Sequence, residues 1–418
     1  MKLLPLAVKS AWNRRLSLSL TILSIAISIV LLLGVDQIRK EARNNFINTL
    51  SQTDLIVGAR SGPINLLLYS VFRLGNATNN VSWKSYQELS SLPQVKWSIP
   101  LSLGDSHRGF RVLGTNRDYF KFYRFAGHRQ LEFATGGVFD EVFDVVLGAD
   151  VARKLGYSVG DRVIVSHGLV SAGFADHDDK PFSVVGILKK TGTPVDRTVH
   201  VPLEGISAIH VDWQSGARST LRLSAVQALK MDLQPREITA FMLGLKNRIA
   251  TFRVQRQINE YRAEPLLAII PGTTLSNLWQ LLGSFEMVLL AVSVLVLVAG
   301  LIGMLTTIIS SLNERRREMA VLRAVGAHPH HILLLFLLET LIIVSLAMLL
   351  GIALLYLLLW GISPLLTEWI GLNLQSGALD AQQWLFLLAI LSLSLVISLL
   401  PGIIAYRNSL QDGLTPRL

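Results

Sequence analysis

Cysteine is absent from the sequence, which excludes disulfide staples, thiol nucleophiles and cysteine-ligated zinc. A domain without cysteine can also occupy an oxidising compartment with no risk of mispairing. Charge is scarce as well. Asp, Glu, Lys and Arg make up 16% of the residues, against about 25% in an average soluble domain. There is no G-x-x-x-x-G-K-[ST] stretch, so this sequence has no phosphate-binding loop of its own with which to use ATP. Neither H-E-x-x-H nor G-x-S-x-G occurs, which removes the commonest zinc-protease and serine-hydrolase readings. Apolar residues are abundant instead: 51% of the 418 residues are hydrophobic and the mean hydropathy is +0.46. Those values describe a membrane protein, with enough chain left over for a separate folded domain.

Four charge-poor runs are each long enough to cross a bilayer core of about 30 Å, which takes about 20 helical residues. Residues 16–35 hold no ionisable side chain and show no A-x-A cleavage pattern before Asp36, so the first run is expected to be an uncleaved anchor. The others are 281–312, 332–361, broken only by Glu339, and 381–406. The boundaries leave cytoplasmic ends at 1–15 and 407–418, an outer domain at 36–280, an inner loop at 313–331 and a short outer loop at 362–380.

Basic residues set the orientation. Outside 36–280 they are Lys2, Lys9, Arg14, Arg15, Arg315, Arg316, Arg317, Arg323, Arg407 and Arg417, and all fall on one side of a four-pass chain. By the positive-inside rule that side is the cytoplasm, and it holds both termini. The formal charge of +10 is thus assigned to topology and not to nucleic acid. Trp279, Trp360, Trp369 and Trp384 gather at the opposite boundary, where indole rings favour a half-wet site. The expected fold is a membrane α-helical bundle of four transmembrane helices, with a mixed α/β extracytoplasmic domain inserted between helices 1 and 2.

Within that domain, 144–147 reads as a strand, 150–155 as a short helix and 162–165 as a strand. Residues 182–188 and 198–202 read as further strands, joined by a turn through Gly192, Thr193 and Pro194. Helical patterns cover 225–229 and 238–261, and helical stalks are expected at 37–50 and 248–261.

Three groups of residues invite a functional reading. The first is the inner segment 314–327. As a helix it sets Met319 and Leu322 on one face and Glu314, Arg315 and Glu318 on others, with Arg316, Arg317 and Arg323 adding charge and Gly326 placed to cap it before Pro329. An apolar ridge bordered by charge suits docking into a groove of a soluble partner, although an ordinary positive-inside loop has the same charges. The second is Glu339, about two turns into the third apolar run, where an ionised carboxylate needs a partner or water. Thr306, Thr307 and Ser310 are candidate partners, and a hinge or structural role is favoured over a proton relay. The third is His167, His177, Asp178 and Asp179, with His200 further on, whose ligand types suit zinc. Their spacing matches no established metal template, and a solvated polar loop is the favoured reading. His328, His330 and His331 form a second cluster on the inner side. The pairs Ser24 and Ser28, Ala347 and Gly351, and Ser394 and Ser398 are spaced by four, which allows close helix packing.

Several stretches then carry a family resemblance. Ala11-Trp12-Asn13-Arg14-Arg15, Asp54-Leu55-Ile56-Val57-Gly58-Ala59, Val145-Val146-Leu147-Gly148, Val159-Gly160-Asp161 and Val184-Val185-Gly186-Ile187-Leu188 resemble segments of the FtsX/MacB-type permeases. The run from Glu314 to Ala327 is similar to the cytoplasmic coupling segment of that family, and Pro401 with Tyr406-Arg407-Asn408-Ser409-Leu410 resembles its closing segment. The resemblance implies the permease subunit of an ABC transporter, a homodimer that binds two copies of a separate cytosolic ATPase and needs no cofactor itself. It further implies mechanotransmission in a bacterial inner membrane, acting on lipoproteins, peptides, drugs or an extracytoplasmic partner protein, with membrane lipid as a further partner and no nucleic acid. The competing expectation is a membrane-anchored regulatory or metal-delivery module without net transport.

Overall fold

The structure is a computed structural model that describes residues 15–167, 179–214, 217–218, 223–324, 328–369 and 377–411. The chain forms two compact units, one of Met1–Glu41, Gly283–Trp369 and Leu374–Leu418, the other of Ala42–Leu282 and Ile370–Asn373.

Long helices make up the first unit. Arg15–Thr49, Pro271–Ala324, Pro329–Trp369 and Ala381–Gln411 contain apolar spans of 27, 40, 32 and 21 residues, each sufficient to cross a membrane. Even the shortest reaches about 32 Å at 1.5 Å per residue. Their common core takes Ile25, Ile29 and Leu33 from the first helix, Leu301 and Met304 from the second, Phe336, Val344 and Ala347 from the third, and Leu387 and Ile390 from the fourth. Leu295, Leu349, Leu357 and Val396 remain exposed on the outside, as expected where lipid replaces water.

Small residues set the helix spacing. A methyl group on Gly351 would lie 3.1 Å from the carbonyl oxygen of Ala26 and from Ile29, so the third helix touches the first almost backbone to backbone. At Gly300 a methyl would meet the hydroxyls of Ser28 and Ser24 at 3.3 and 3.4 Å. Ser28 donates to the Ser24 carbonyl at 2.9 Å and lies 3.3 Å from that of Val296 on the second helix. Without a hydrophobic force between helices in lipid, such close approach and hydrogen bonding hold a bundle together.

The second unit is built on an 11-stranded sheet. Nine of its strands are Leu55–Ala59 (β1), Val95–His107 (β2), Phe110–Thr115 (β3), Phe133–Gly136 (β4), Asp144–Leu147 (β5), Phe182–Leu188 (β6), Thr198–Pro202 (β7), Ala240–Leu245 (β8) and Leu266–Ile269 (β9). They lie in the order β9-β1-β8-β2-β3-β7-β5-β6-β4, with Ser166–His167 paired to β2 and Arg162–Val163 to β6. Most neighbours are antiparallel, but β3 with β7 and β5 with β6 run parallel. A parallel pair needs a crossover, and the helix Ala149–Leu155 lies within the one from β5 to β6.

The stretch 238–261, expected to be helical, divides differently. Residues Ala240–Leu245 are β8, wholly buried between β1 and β2, and only Thr251–Asn259 is α-helical. Ala-Phe-Met-Leu-Gly-Leu is a continuous apolar run, which periodicity alone cannot assign to a strand buried on both faces or to a buried helix. Gly244 is required there, because a Cβ would fall 2.0 Å from the Trp97 ring. Nor is 248–261 a stalk: Val254 and Ile258 pack into the domain core, β9 follows, and the next long helix starts at Pro271.

Strand β7 buries His200 completely, with the rings of Tyr119 and Phe120 centred 5.2 and 5.8 Å from the imidazole. Burial, aided by the charge of Arg73, lowers its pKa to about 3 from an ordinary 6.5. The unfolded chain therefore binds a proton that the folded domain refuses, so this residue makes stability fall as pH drops from 6.5 toward 3 and has no effect above that window. Between pH 7 and pH 5 the loss is about 2 kcal/mol. Thermal unfolding of the wild type and His200→Phe across that range should show a steeper decline in the wild type; parallel curves would refute the assignment.

Candidate functional site

The second membrane helix does not stop where its apolar span does. It continues past Ser310 to Ala324, about 21 Å further at 1.5 Å per residue. This extension carries Glu314, Arg315, Arg316, Arg317, Glu318, Met319, Leu322 and Arg323, while Gly326 lies outside the described residues. Helical backbone places Met319 and Leu322, three apart, on one face. The third helix opens at Pro329, where the His331 Nδ1 accepts the His328 amide at 3.1 Å and the His330 and His331 rings lie 4.1 Å apart.

Glu339 is buried inside the bundle beside the fully buried Thr340. The threonines expected near it donate within their own helix. Thr306 and Thr307 donate to the carbonyls of Ile302 and Gly303, each at 2.9 Å, the back-bonding to residue i−4 that helical threonine favours. Thr307 also lies 3.2 Å from the hydroxyl of Thr21, which ties the second helix to the first.

Of the residues expected to suit zinc, His177 and Asp178 lie outside the described residues, and the backbone of His167 pairs with Asp105 at the sheet edge. Asp179 accepts from Lys180 at 3.3 Å, and the fully buried Lys180 ammonium also donates to Asp212 at 2.8 Å. A cation is therefore already present beside Asp179. His200 is a core residue, as described above. Among the described residues no group of three His, Cys, Asp or Glu is placed to hold a metal ion. Removing one member of a buried pair strands the other. Lys180→Met is expected to cost about 3–5 kcal/mol through the uncompensated Asp212, with much of it regained in Lys180→Met/Asp212→Leu, as read by thermal unfolding. A single variant no less stable than the double one would sink this reading.

A further polar constellation joins three helices at one end of the bundle. The carboxylate of Asp36, almost fully buried, accepts from Arg39 at 3.0 Å and pairs with Lys40 at 2.6 Å. Lys40 reaches Asp380 at 2.6 Å, and Arg39 lies 3.8 Å from Glu286 of the second helix. The Gln383 amide donates to Asp36 at 3.3 Å and to Gln37 at 2.9 Å. Asp380 and Gln383 also cap the fourth helix reciprocally, each accepting the backbone N–H of the other at 2.8 and 3.2 Å. Lys40 holds the Asp380 carboxyl below its ordinary pKa. In sequence the Asp36, Arg39 and Lys40 spacing is visible, but its partners some 340 residues away are not.

Long apolar helices, a charged helical extension and an antiparallel-rich α/β domain together define a multi-pass membrane protein with a large folded module. Two family models match in tandem: a MacB-like periplasmic core domain over residues 18–261 and an FtsX-like permease C-terminal region over residues 290–413. The first covers more than half of the chain, and the protein belongs to the FtsX/MacB family of ABC transporter permeases. It is 23% identical over 269 residues to the macrolide export ATP-binding/permease protein MacB of Wolinella succinogenes, a match that covers 63% of this chain and 38% of that protein. The chain thus spans well under half the length of this curated relative. Among solved structures, the periplasmic region of MacB from Actinobacillus actinomycetemcomitans aligns with 56% of this chain and 95% of its own, at 11% identity and a TM-score of 0.34. The extracellular domain of the noncanonic ABC-type transporter YknZ from Gram-positive bacteria aligns with 52% and 99%, at 13% identity and a TM-score of 0.30.

Proposed function

We propose that this chain is a permease subunit that receives an ATP-driven conformational change at the segment Glu314 to Ala327 and transmits it to its α/β domain on the far side of a bacterial inner membrane. In this reading the domain is extracytoplasmic and inserted between membrane helices 1 and 2, and both termini are cytoplasmic. A homodimer binds two copies of a separate cytosolic ATPase. The cargo is a lipoprotein, peptide, drug or partner protein handled outside the membrane, not a solute drawn through a polar channel.

The observation that carries the proposal is the unbroken helix from the second span to Ala324, followed by the next helix at Pro329. A coupling element of this kind must not buckle, and one continuous helix transfers load that a flexible loop would absorb. The placement of Lys and Arg supports the orientation. The test is affinity purification of the full chain from its native membrane. Recovery of an ABC ATPase that hydrolyses ATP within the purified assembly supports the proposal. Its absence would leave an anchored binding module as the better account.

A further inference from the structure

The α/β domain contains a cavity of about 330 Å³ that the proposal above does not use, lined by Tyr69, Arg73, Asn76, Asn80, Leu103 and Arg111 among others. Two arginines line it, yet neither forms an ion pair with a carboxylate among the described residues. Arg73 donates to the carbonyl of Ser70, and its Nε is buried without a hydrogen-bond partner. Arg111 donates to the carbonyl of Gly75 at 3.0 Å and to the side-chain oxygen of Asn76 at 2.9 Å, which fixes one wall. Arg73 also adopts φ +60°, a left-handed conformation that a branched or long side chain rarely takes. Strain of that kind persists where the surrounding structure imposes it, and it clusters at binding sites.

The electrostatics of the lining are positive. Burial and the charge of Arg73 both lower the pKa of Arg111, so the two cations disfavour one another. The charge of Arg73 likewise helps keep the buried His200 neutral. Burial pushes the hydroxyl of Tyr69 up to about 12, so it stays protonated and able to donate. Asn76 and Asn80 add amide groups at the rim. The charged groups in its lining are the two arginines, while at its rim Asn76 accepts from Arg111 and Asn80 donates to Glu237; a structural role for two arginines would ordinarily bring a carboxylate to them directly.

We propose that this cavity is a binding site for the oxyanion group of a small molecule, a carboxylate or a phosphate, held by Arg73 and Arg111. Arginine suits both anions because its planar fork gives two parallel charge-assisted hydrogen bonds. The ligand would supply the negative charge that the domain lacks there. The inference goes beyond coupling to an ATPase and stands whether or not the segment Glu314 to Ala327 binds one.

The test is calorimetric titration of the full chain in a neutral detergent with inorganic phosphate and, separately, with succinate, at an ionic strength held constant with sodium chloride. Saturable binding of at least one anion is expected, with a rise in Tm, and the anion that binds identifies the ligand chemistry. Arg73→Gln should weaken that binding at least tenfold. Arg73→Lys keeps the charge without the fork and should weaken it several-fold. Arg111→Gln should match Arg73→Gln; if it fails to fold because the 75–76 turn is lost, the two Arg73 variants decide. Binding no stronger than chloride competition allows, or unchanged binding in both Arg73 variants, overturns the proposal.

Discussion

Replacing Met319 and Leu322 together with aspartate is expected to strip a co-purifying ABC ATPase from the chain while leaving the chain itself in the membrane. The two positions share one face of a helix that extends beyond the apolar span, so neither is needed for insertion. Burying two such side chains in a partner groove contributes about 1.5–3 kcal/mol each. Losing both corresponds to a roughly hundred- to ten-thousandfold fall in affinity, before the cost of desolvating two carboxylates is added. The measurement is quantitative mass spectrometry of the ATPase recovered with the wild type and with the variant, alongside ATP hydrolysis by each preparation. Equal recovery would show that the partner docks elsewhere.

Within the helix bundle, Asp36→Leu is expected to be the more costly of two substitutions in the polar network. Asp36 is the shared acceptor of Arg39, Lys40 and Gln383, and it is almost fully buried. Removing it leaves two cations and an amide facing a leucine. Lys40 keeps Asp380, and both cations are a quarter to a third exposed, so the cost should fall below that of a fully buried pair, at about 2–4 kcal/mol. Glu286→Gln removes only a 3.8 Å contact between partly exposed groups and should cost less than about 1 kcal/mol. Thermal unfolding of both variants in one detergent checks the contrast. Similar losses would mean that Asp36 does not anchor the network.

What the sequence reveals here depends on how local the physics is. The four spans are legible because lipid imposes length and apolarity on each segment separately. The strands at 144–147, 182–188 and 198–202 are legible from β-branched and apolar runs between turns. Residues 240–245 are misread because a strand buried on both faces loses the alternation that marks a half-exposed one. The same limit applies to the sites. Met319 and Leu322 can be paired from helical spacing alone, whereas the neighbours of Asp36 come from segments far apart in the chain. His200 and Asp179 offer ligand chemistry in sequence, but the fold gives one an aromatic core and the other an ammonium. Arg73 and Arg111, 38 positions apart with no motif around them, become a pair only once β3 and the 75–76 turn are in place.

Strands β1 and β9 are hydrogen-bonded neighbours, with Ile56 opposite Ile269. The chain therefore enters the sheet and leaves it at the same end of one antiparallel pair, a few ångströms apart. An insert built this way closes its own loop, so its host need not hold the two ends together and bears almost none of the entropy of doing so. The domain is exchangeable in that sense. A different module whose first and last strands are likewise paired can be spliced at these points without redesigning the helices on either side in sequence, which gives one set of helices a route to many attached domains.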